Sequence, residues 1–343
     1  MKVAFFDTHN FEKDFFLAAN QKYSFDIEFI ETRLSVKTAT LAAGSRTVCV
    51  FVNDKLDSGC VAKLREIGVE HIALRSAGFN NVDLASAKFN DLLVTRVPAY
   101  SPYAVAEFAV GILISLNRKI HHAFLRVRDL NFSLDGLVGF DLHGKKVGVI
   151  GAGRIGKIFA KIMLACGCHV LIYDIAKDPE LAAEKNVQYV DLDFVCKEAD
   201  VISLHVPLTP QTHHLINAEK FALMKKSVVL INTGRGALID SRALLEVLKS
   251  ESIAGAALDV YEEEENIFFQ DLSGKVLHDD ILARLLTFPN VLVTSHQAFL
   301  TKEALENIAS TTLENINRYY RGQAVDADKV VNSRIFNSRS REL

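Results

Sequence analysis

The sequence predicts an α/β protein built on parallel sheets, and three observations carry that expectation. Short apolar runs alternate with stretches of helical period along the chain. Strands separated by helices pair in parallel. The runs are β-branched and apolar at both parities, as expected where helices cover both sheet faces. A glycine-rich turn, Gly151-Ala152-Gly153-Arg154-Ile155-Gly156, stands between one such run and a helical stretch. With 343 residues, roughly two domains are expected.

The elements follow in order. Strands are expected at Val3–Phe6, Thr47–Val52, His71–Leu74, Val147–Ile150, His169–Tyr173, Val201–Leu204, Val228–Ile231 and Val291–Thr294. Helices are expected at Ile155–Cys166, Asp191–Glu198, Asn217–Leu223, Ser241–Ser250 and Lys302–Tyr320. Ser101-Pro102 reads as an N-cap followed by proline at the first helical position. The helix it opens is long enough to cross between domains and ends near Lys119. The next segment, Arg126–Asp141, is aromatic and polar and reads as an extended arm or loop. A second α/β unit begins at Lys145, so its first strand lies deep in the chain. The polar tail Asn332–Leu343 is expected to fray.

Composition removes several function classes. Lys and Arg number 39 against 42 Asp and Glu, a net charge of −3. Nucleic-acid binding through bulk charge is therefore not expected. The most apolar stretch, Tyr103–Leu116, is interrupted by Glu107 and falls short of the roughly 20 residues of a spanning helix. The apolar run at the N-terminus is too short for a signal peptide. Five cysteines (Cys49, Cys60, Cys166, Cys168 and Cys196) form neither a disulfide framework nor a metal spacing. They read as free thiols of a cytoplasmic protein. The pairs His121-His122 and His213-His214 lack the one-face spacing of a helical metal site and read as surface residues. No metal is expected.

The glycine turn carries the first chemical signal. Gly151 permits the tight turn, Gly153 lets a pyrophosphate approach the backbone, and Gly156 lets helix pack on strand. The helix start offers free N–H groups and partial positive charge to phosphates. Asp174 ends the following strand, 18 residues beyond Gly156. An acid near that spacing accepts both ribose hydroxyls of NAD and repels the extra phosphate of NADP. NAD is the expected cofactor.

Further chemistry-bearing residues stand at later strand ends. Asn232-Thr233-Gly234-Arg235-Gly236 follows one strand, and ligands of open α/β sheets sit outside the carboxyl ends of strands. A guanidinium there can grip a carboxylate with two hydrogen bonds. Asp259-Val260-Tyr261 leads into the acidic run Glu262–Glu265. Ser295-His296-Gln297 follows the last strand and offers a general acid–base.

Taken together, these motifs closely resemble the NAD-dependent D-2-hydroxyacid dehydrogenase family, and within it the fermentative D-lactate dehydrogenases. The residues carrying the resemblance are Arg75–Asp83, Val97–Pro102, Gly151–Gly156, Asn232–Gly236, Asp259–Glu264 and His296–Thr301. It runs from near residue 1 to about residue 325. By resemblance, Arg235 is the substrate-carboxylate clamp, Glu264 the acid paired with histidine, and His296 the proton donor. Asp259 resembles the aspartate near the nicotinamide. Ser76-Ala77-Gly78 resembles a turn whose amides help hold the carboxylate, with Ser76 where the family often has cysteine. Tyr100 and Phe299 match positions walling the substrate side chain. Arg154, Ile155, Val206, Pro207, Thr233 and Gly234 fall at cofactor contacts.

The resemblance implies a Rossmann cofactor domain (residues 101–297) inserted in a flavodoxin-like substrate domain (1–100 and 298–343), with a cleft between them. It implies reversible, NADH-dependent reduction of pyruvate to D-lactate. Glu264 would hydrogen-bond the protonated His296 and stabilise its charge. Another 2-oxo acid is the nearest alternative, and an NAD-sensing corepressor-like protein is the non-catalytic one. Glu264 disfavours the formate enzymes of the family, which lack it. A homodimer, or a tetramer built from it, is expected through Tyr103–Leu116 and the Arg126–Phe140 arm.

Overall fold

The computed structural model describes residues 1–332. They form two units, Met1–Ser101 together with the chain from Leu300 onward, and Pro102–Phe299. Each has its own parallel sheet, which makes the protein a two-domain α/β protein.

The first unit contains strands β1 (Lys2–Phe5), β2 (Asp26–Phe29), β3 (Thr47–Val50), β4 (His71–Leu74) and β5 (Leu93–Thr95). They pair in the order β2-β1-β3-β4-β5, all parallel. This is the doubly wound order of flavodoxin-like sheets. The helices between them are α1 (Asn10–Asn20), α2 (Ser58–Glu66) and α3 (Leu84–Phe89). Asp57 and Asp83 cap α2 and α3 by accepting the Cys60 and Ser86 amides, each at 2.9 Å. Every residue of β3 and β4 is buried. That explains why their apolar runs do not alternate.

The second unit contains β6 (Lys146–Ile150), β7 (His169–Tyr173), β8 (Val187–Tyr189), β9 (Val201–Leu204), β10 (Val229–Asn232), β11 (Gly255–Leu258) and β12 (Val291–Val293). The order is β12-β11-β10-β9-β6-β7-β8, again all parallel. The first strand, β6, lies between β7 and β9, so the winding reverses there. A crevice at such a reversal is where nucleotide cofactors bind. Helices α4 (Pro102–Asn117), α5 (Ile120–Arg128), α6 (Arg154–Ala165), α7 (Pro179–Ala182), α8 (Leu192–Glu198), α9 (Ala218–Leu223), α10 (Ser241–Lys249) and α11 (Asp280–Leu285) complete it. Helix α12 (Lys302–Tyr320) returns to the first unit and packs on α1 and β4.

Three expectations change. Tyr103–Leu116 is largely core: Ala106, Ala109, Ile112, Leu113 and Leu116 pack with Val147, Val149 and Phe159. Its apolar character largely serves the fold, and Tyr103 and Ile114 are the large apolar residues left exposed. The expected arm begins later than Arg126, because Lys119 adopts a left-handed φ of +50° and α5 restarts the helix as far as Arg128. Asn332, expected in a fraying tail, is buried. Its amide donates to the Leu92 carbonyl at 2.6 Å and its oxygen accepts the Val94 amide at 2.9 Å. The rest of that tail lies outside the described residues. The five cysteines are free. Burial pushes the Cys49 and Cys60 thiols up to about 12, and the Cys168 and Cys196 thiols up to about 11. Thiols so shifted stay protonated and inert.

Candidate active site

The glycine turn sits at the carboxyl end of β6. Gly151 has a φ of +93°, and a Cβ there would stand 2.7 Å from Val206 Cγ1. A Cβ at Gly156 would collide with the Gly151 carbonyl oxygen. Helix and turn therefore approach as closely as they do only because both residues are glycine. At Gly153 a Cβ would meet nothing within 4 Å, so the outer side of the turn is open. No side chain caps α6 at Gly153, which leaves its first amides available. Arg154 is exposed, and Ile155 packs partly into the core below.

Asp174 closes the turn from β7. Its Oδ2 accepts the Ala152 amide at 2.6 Å and its Oδ1 accepts the Ala176 amide at 2.9 Å. The carboxylate stays partly exposed and keeps lone pairs for ribose hydroxyls. His205 lies beneath, its ring 5.0 Å from that of Phe159, and burial pushes its pKa down to about 3. It is a neutral packing residue. Val206 is half-buried and Pro207 exposed at the end of β9. Thr233 follows β10, and its buried Oγ1 has no hydrogen-bond partner among the described residues. An open glycine turn, an uncapped helix start, an accepting acid and an orphaned buried hydroxyl together fit a dinucleotide such as NAD.

A second constellation grows from β10, β11 and β12. Asn232 Nδ2 donates to the Arg235 carbonyl at 2.8 Å and its Oδ1 accepts the Gly234 amide at 3.0 Å, which shapes the turn. Arg235 Nη1 donates to the Gly234 carbonyl at 2.7 Å. The turn lies directly on the next strand's exit, since a Cβ at Gly236 would collide with the Tyr261 backbone. The Tyr261 amide donates to Glu264 Oε2 at 2.9 Å. The other oxygen, Oε1, accepts from His296 Nδ1 at 2.7 Å. Both side chains are less than a fifth exposed. Arg235, Glu264 and His296 are thus joined through a short run of backbone contacts.

His296 has a φ of +53°. A left-handed histidine costs on the order of 1–2 kcal/mol and needs support around it. Asp259 supplies that support. Its carbonyl accepts the His296 amide at 2.7 Å. Its carboxylate accepts the Gln297 amide at 2.9 Å, the Ala298 amide at 2.8 Å and the Thr294 hydroxyl at 2.6 Å. Burial raises the Asp259 pKa, and these hydrogen bonds oppose the rise. Asp259 was expected beside the cofactor. In the structure its fully buried carboxylate is taken up by the turn that carries His296. Thr294 and Phe269, whose ring centroid is 5.9 Å from that of His296, went unnoticed in the sequence. A hydroxyl two residues before the histidine was the available clue for the first.

The remaining predicted residues are described within their units. In the first, Ser76 Oγ donates to the Gly78 carbonyl at 2.8 Å. The Ser76 side chain therefore closes its own turn. The Ala77 carbonyl accepts from Arg96 Nη1 at 3.1 Å. Tyr100 is half-buried, and its carbonyl accepts Asn307 Nδ2 at 2.8 Å. Phe299 is half-buried at the end of the second unit.

Residues 110–298 match the family described as D-isomer specific 2-hydroxyacid dehydrogenase, NAD binding domain. The chain is 50% identical to 2-hydroxyacid dehydrogenase homolog 1 of Schizosaccharomyces pombe over 93% of its length and 96% of the relative's. It is 48% identical to D-lactate dehydrogenase of Escherichia coli, over 94% of this chain and 98% of that one. Among solved structures it resembles D-lactate dehydrogenase from Aquifex aeolicus complexed with NAD and lactic acid, with a TM-score of 0.85 at 35% identity, covering 97% of this chain and 99% of that one. The protein belongs to the D-isomer specific 2-hydroxyacid dehydrogenases.

Proposed function

We propose that the protein is an NAD-dependent D-lactate dehydrogenase that reduces pyruvate to D-lactate reversibly. The observation that carries this reading is the His296–Glu264 pair, joined at 2.7 Å on strand ends that also carry Arg235. A carboxylate only accepts, so the proton of that bond sits on His296 Nδ1. Nε2 is then the atom that exchanges a proton with substrate. In reduction, Nε2–H protonates the carbonyl oxygen as negative charge develops there. In oxidation, neutral Nε2 takes the proton from the hydroxyl. Glu264 stabilises positive charge on the ring and fixes its orientation.

Arg235 holds the substrate carboxylate and stabilises charge beside the reacting carbonyl. By the family resemblance, the amides of Ser76-Ala77-Gly78 are further candidates for carboxylate binding, and Tyr100 and Phe299 for contact with the substrate side chain. NADH, when bound, supplies the hydride. The dinucleotide would be held by Gly151, Gly153, Arg154, Ile155 and Gly156 at the pyrophosphate, by Asp174 at the ribose, and by Val206, Pro207, Thr233 and Gly234 along the strand ends. Asp259 acts through the His296 turn.

A homodimer, or a tetramer built from it, is part of the same reading. Helix α5 buries none of its residues, and Phe124, Leu130, Phe132, Leu134 and Val138 are exposed around it. Exposed large apolar side chains in such number over a short segment support a subunit contact there. No helix among the described residues is long and apolar enough to cross a membrane. Five free cysteines accord with a reducing cytoplasm.

The test is loss of NADH absorbance with a panel of 2-oxo acids, followed by chiral assignment of the product. Pyruvate as the preferred substrate, D-lactate as the product, and NADH favoured over NADPH by at least about tenfold are expected. L-lactate, or indifference to pyruvate, would contradict the proposal.

A further inference from the structure

We propose that His213, His214 and Glu262 form a binding site for a divalent transition-metal ion of the zinc type. The two histidines are adjacent in sequence, an arrangement that neither a helix nor a strand turns toward one ligand. They lie instead in the turn between β9 and α9, and His214 has a left-handed φ of +50°. Their rings stack face to face, with centroids 4.0 Å apart and planes 28° apart. Glu262 enters from the segment after β11, and His214 Nε2 meets its Oε1 at 2.6 Å. One donor atom from each of the three residues lies within 4.8 Å of the other two. This is the one such group of His, Cys, Asp and Glu among the described residues.

The donor set suits the ion. Two imidazoles and a carboxylate are a common zinc ligand set, leaving a fourth position for water. Donors around tetrahedral zinc stand roughly 3.4 Å apart, given metal–ligand distances of about 2.0–2.1 Å. The His214–Glu262 separation therefore opens slightly as the ion replaces their shared proton. The scaffold on either side is braced. The His214 amide donates to the Ala237 carbonyl at 2.8 Å, and Glu262 Oε2 accepts the Ser241 amide at 3.3 Å. A cavity of about 460 Å³ adjoins the group, lined by Asp240, Glu263, Asp279 and Asp280 beside Arg242. These acids bias the approach toward cations. His121 and His122 show what is specific here. Their rings are equally close, at 4.1 Å, but each bonds a backbone carbonyl and no carboxylate completes a group.

The site is independent of the substrate reading, and its test does not use turnover. Zinc is titrated calorimetrically into the dialysed full-length protein, and cobalt is titrated in parallel for its visible absorption. One ion per chain is expected, with the intense cobalt band of a four-coordinate site. His213→Ala and Glu262→Gln each weaken binding by at least about tenfold, since even outer-shell partners of a metal are worth 10–100-fold. His213 is exposed, so its removal leaves the fold intact, as circular dichroism will verify. The His121→Ala/His122→Ala protein binds as the parent does. Parent-like affinity in His213→Ala, or no saturable binding by the parent, would overturn the proposal.

Discussion

At the scale of single residues, burial decides which titratable groups take part in chemistry and which become structural. His71 sits in β4 with Nε2 2.8 Å from the Thr95 hydroxyl and Nδ1 3.4 Å from that of Thr47. Burial pushes its pKa down to about 3, against about 6.5 in an unfolded chain. Between those values the unfolded chain binds a proton that the native state does not. The stability is therefore fully present above about pH 6.5 and is lost as pH falls. Asp54 acts in the opposite sense. Burial raises it to about 7, so its contribution declines as pH rises from about 4 toward 7. A difference between two proteins isolates the histidine. His71→Asn keeps a polar side chain without the titration. On going from pH 7 to pH 5 it should lose about 2 kcal/mol less stability than the parent, measured by urea unfolding. Equal losses would show that His71 is not the buried neutral group described.

His296 was legible in the sequence because it follows an apolar strand, and strand ends are where such folds place ligands. The hydrogen bonding of Asp259 is not legible there. Its carboxylate accepts the amides of Gln297 and Ala298, which no sequence pattern brings to it. The adjacent pair His213-His214 lacks the one-face spacing of a helical metal site and so reads as surface in the sequence. The backbone at His214 is left-handed, a geometry that spacing does not reveal.

At the scale of elements, β2, β8 and β11 carry weak sequence signals for two physical reasons. β11 reads Gly255-Ala256-Ala257-Leu258, with no β-branched residue. A Cβ at Gly255 would collide with the Asn290 carbonyl, so packing on the β12 side requires the small residue. β2 and β8 lie at sheet edges and are only partly buried, so their patterns are weak. The long apolar run of α4 was legible as a helix, but its apolar content was assigned to a partner when it belongs to the core. The same close packing ties elements to catalysis at Gly236. Gly236→Ala would push Tyr261 away, and the Tyr261 amide positions Glu264. We predict that this variant binds NADH as the parent does while kcat falls about 10- to 100-fold, the effect of a displacement near 1 Å. A parental kcat would separate the Arg235 turn from the Glu264 segment.

At the scale of the whole molecule, two parallel sheets of five and seven strands realise the fold class that alternating runs and the glycine turn predicted. A net charge of −3 has little bearing on how an anionic substrate would be held, because the charge proposed to bind it, Arg235, is local. The central claim is that His296, oriented by Glu264, moves the proton in a D-2-hydroxyacid dehydrogenase reaction. It is tested most directly by pyruvate reduction in His296→Gln, with NADH binding followed separately by fluorescence. The account predicts binding like that of the parent and turnover lower by about 10²-fold or more. Turnover near that of the parent would contradict it.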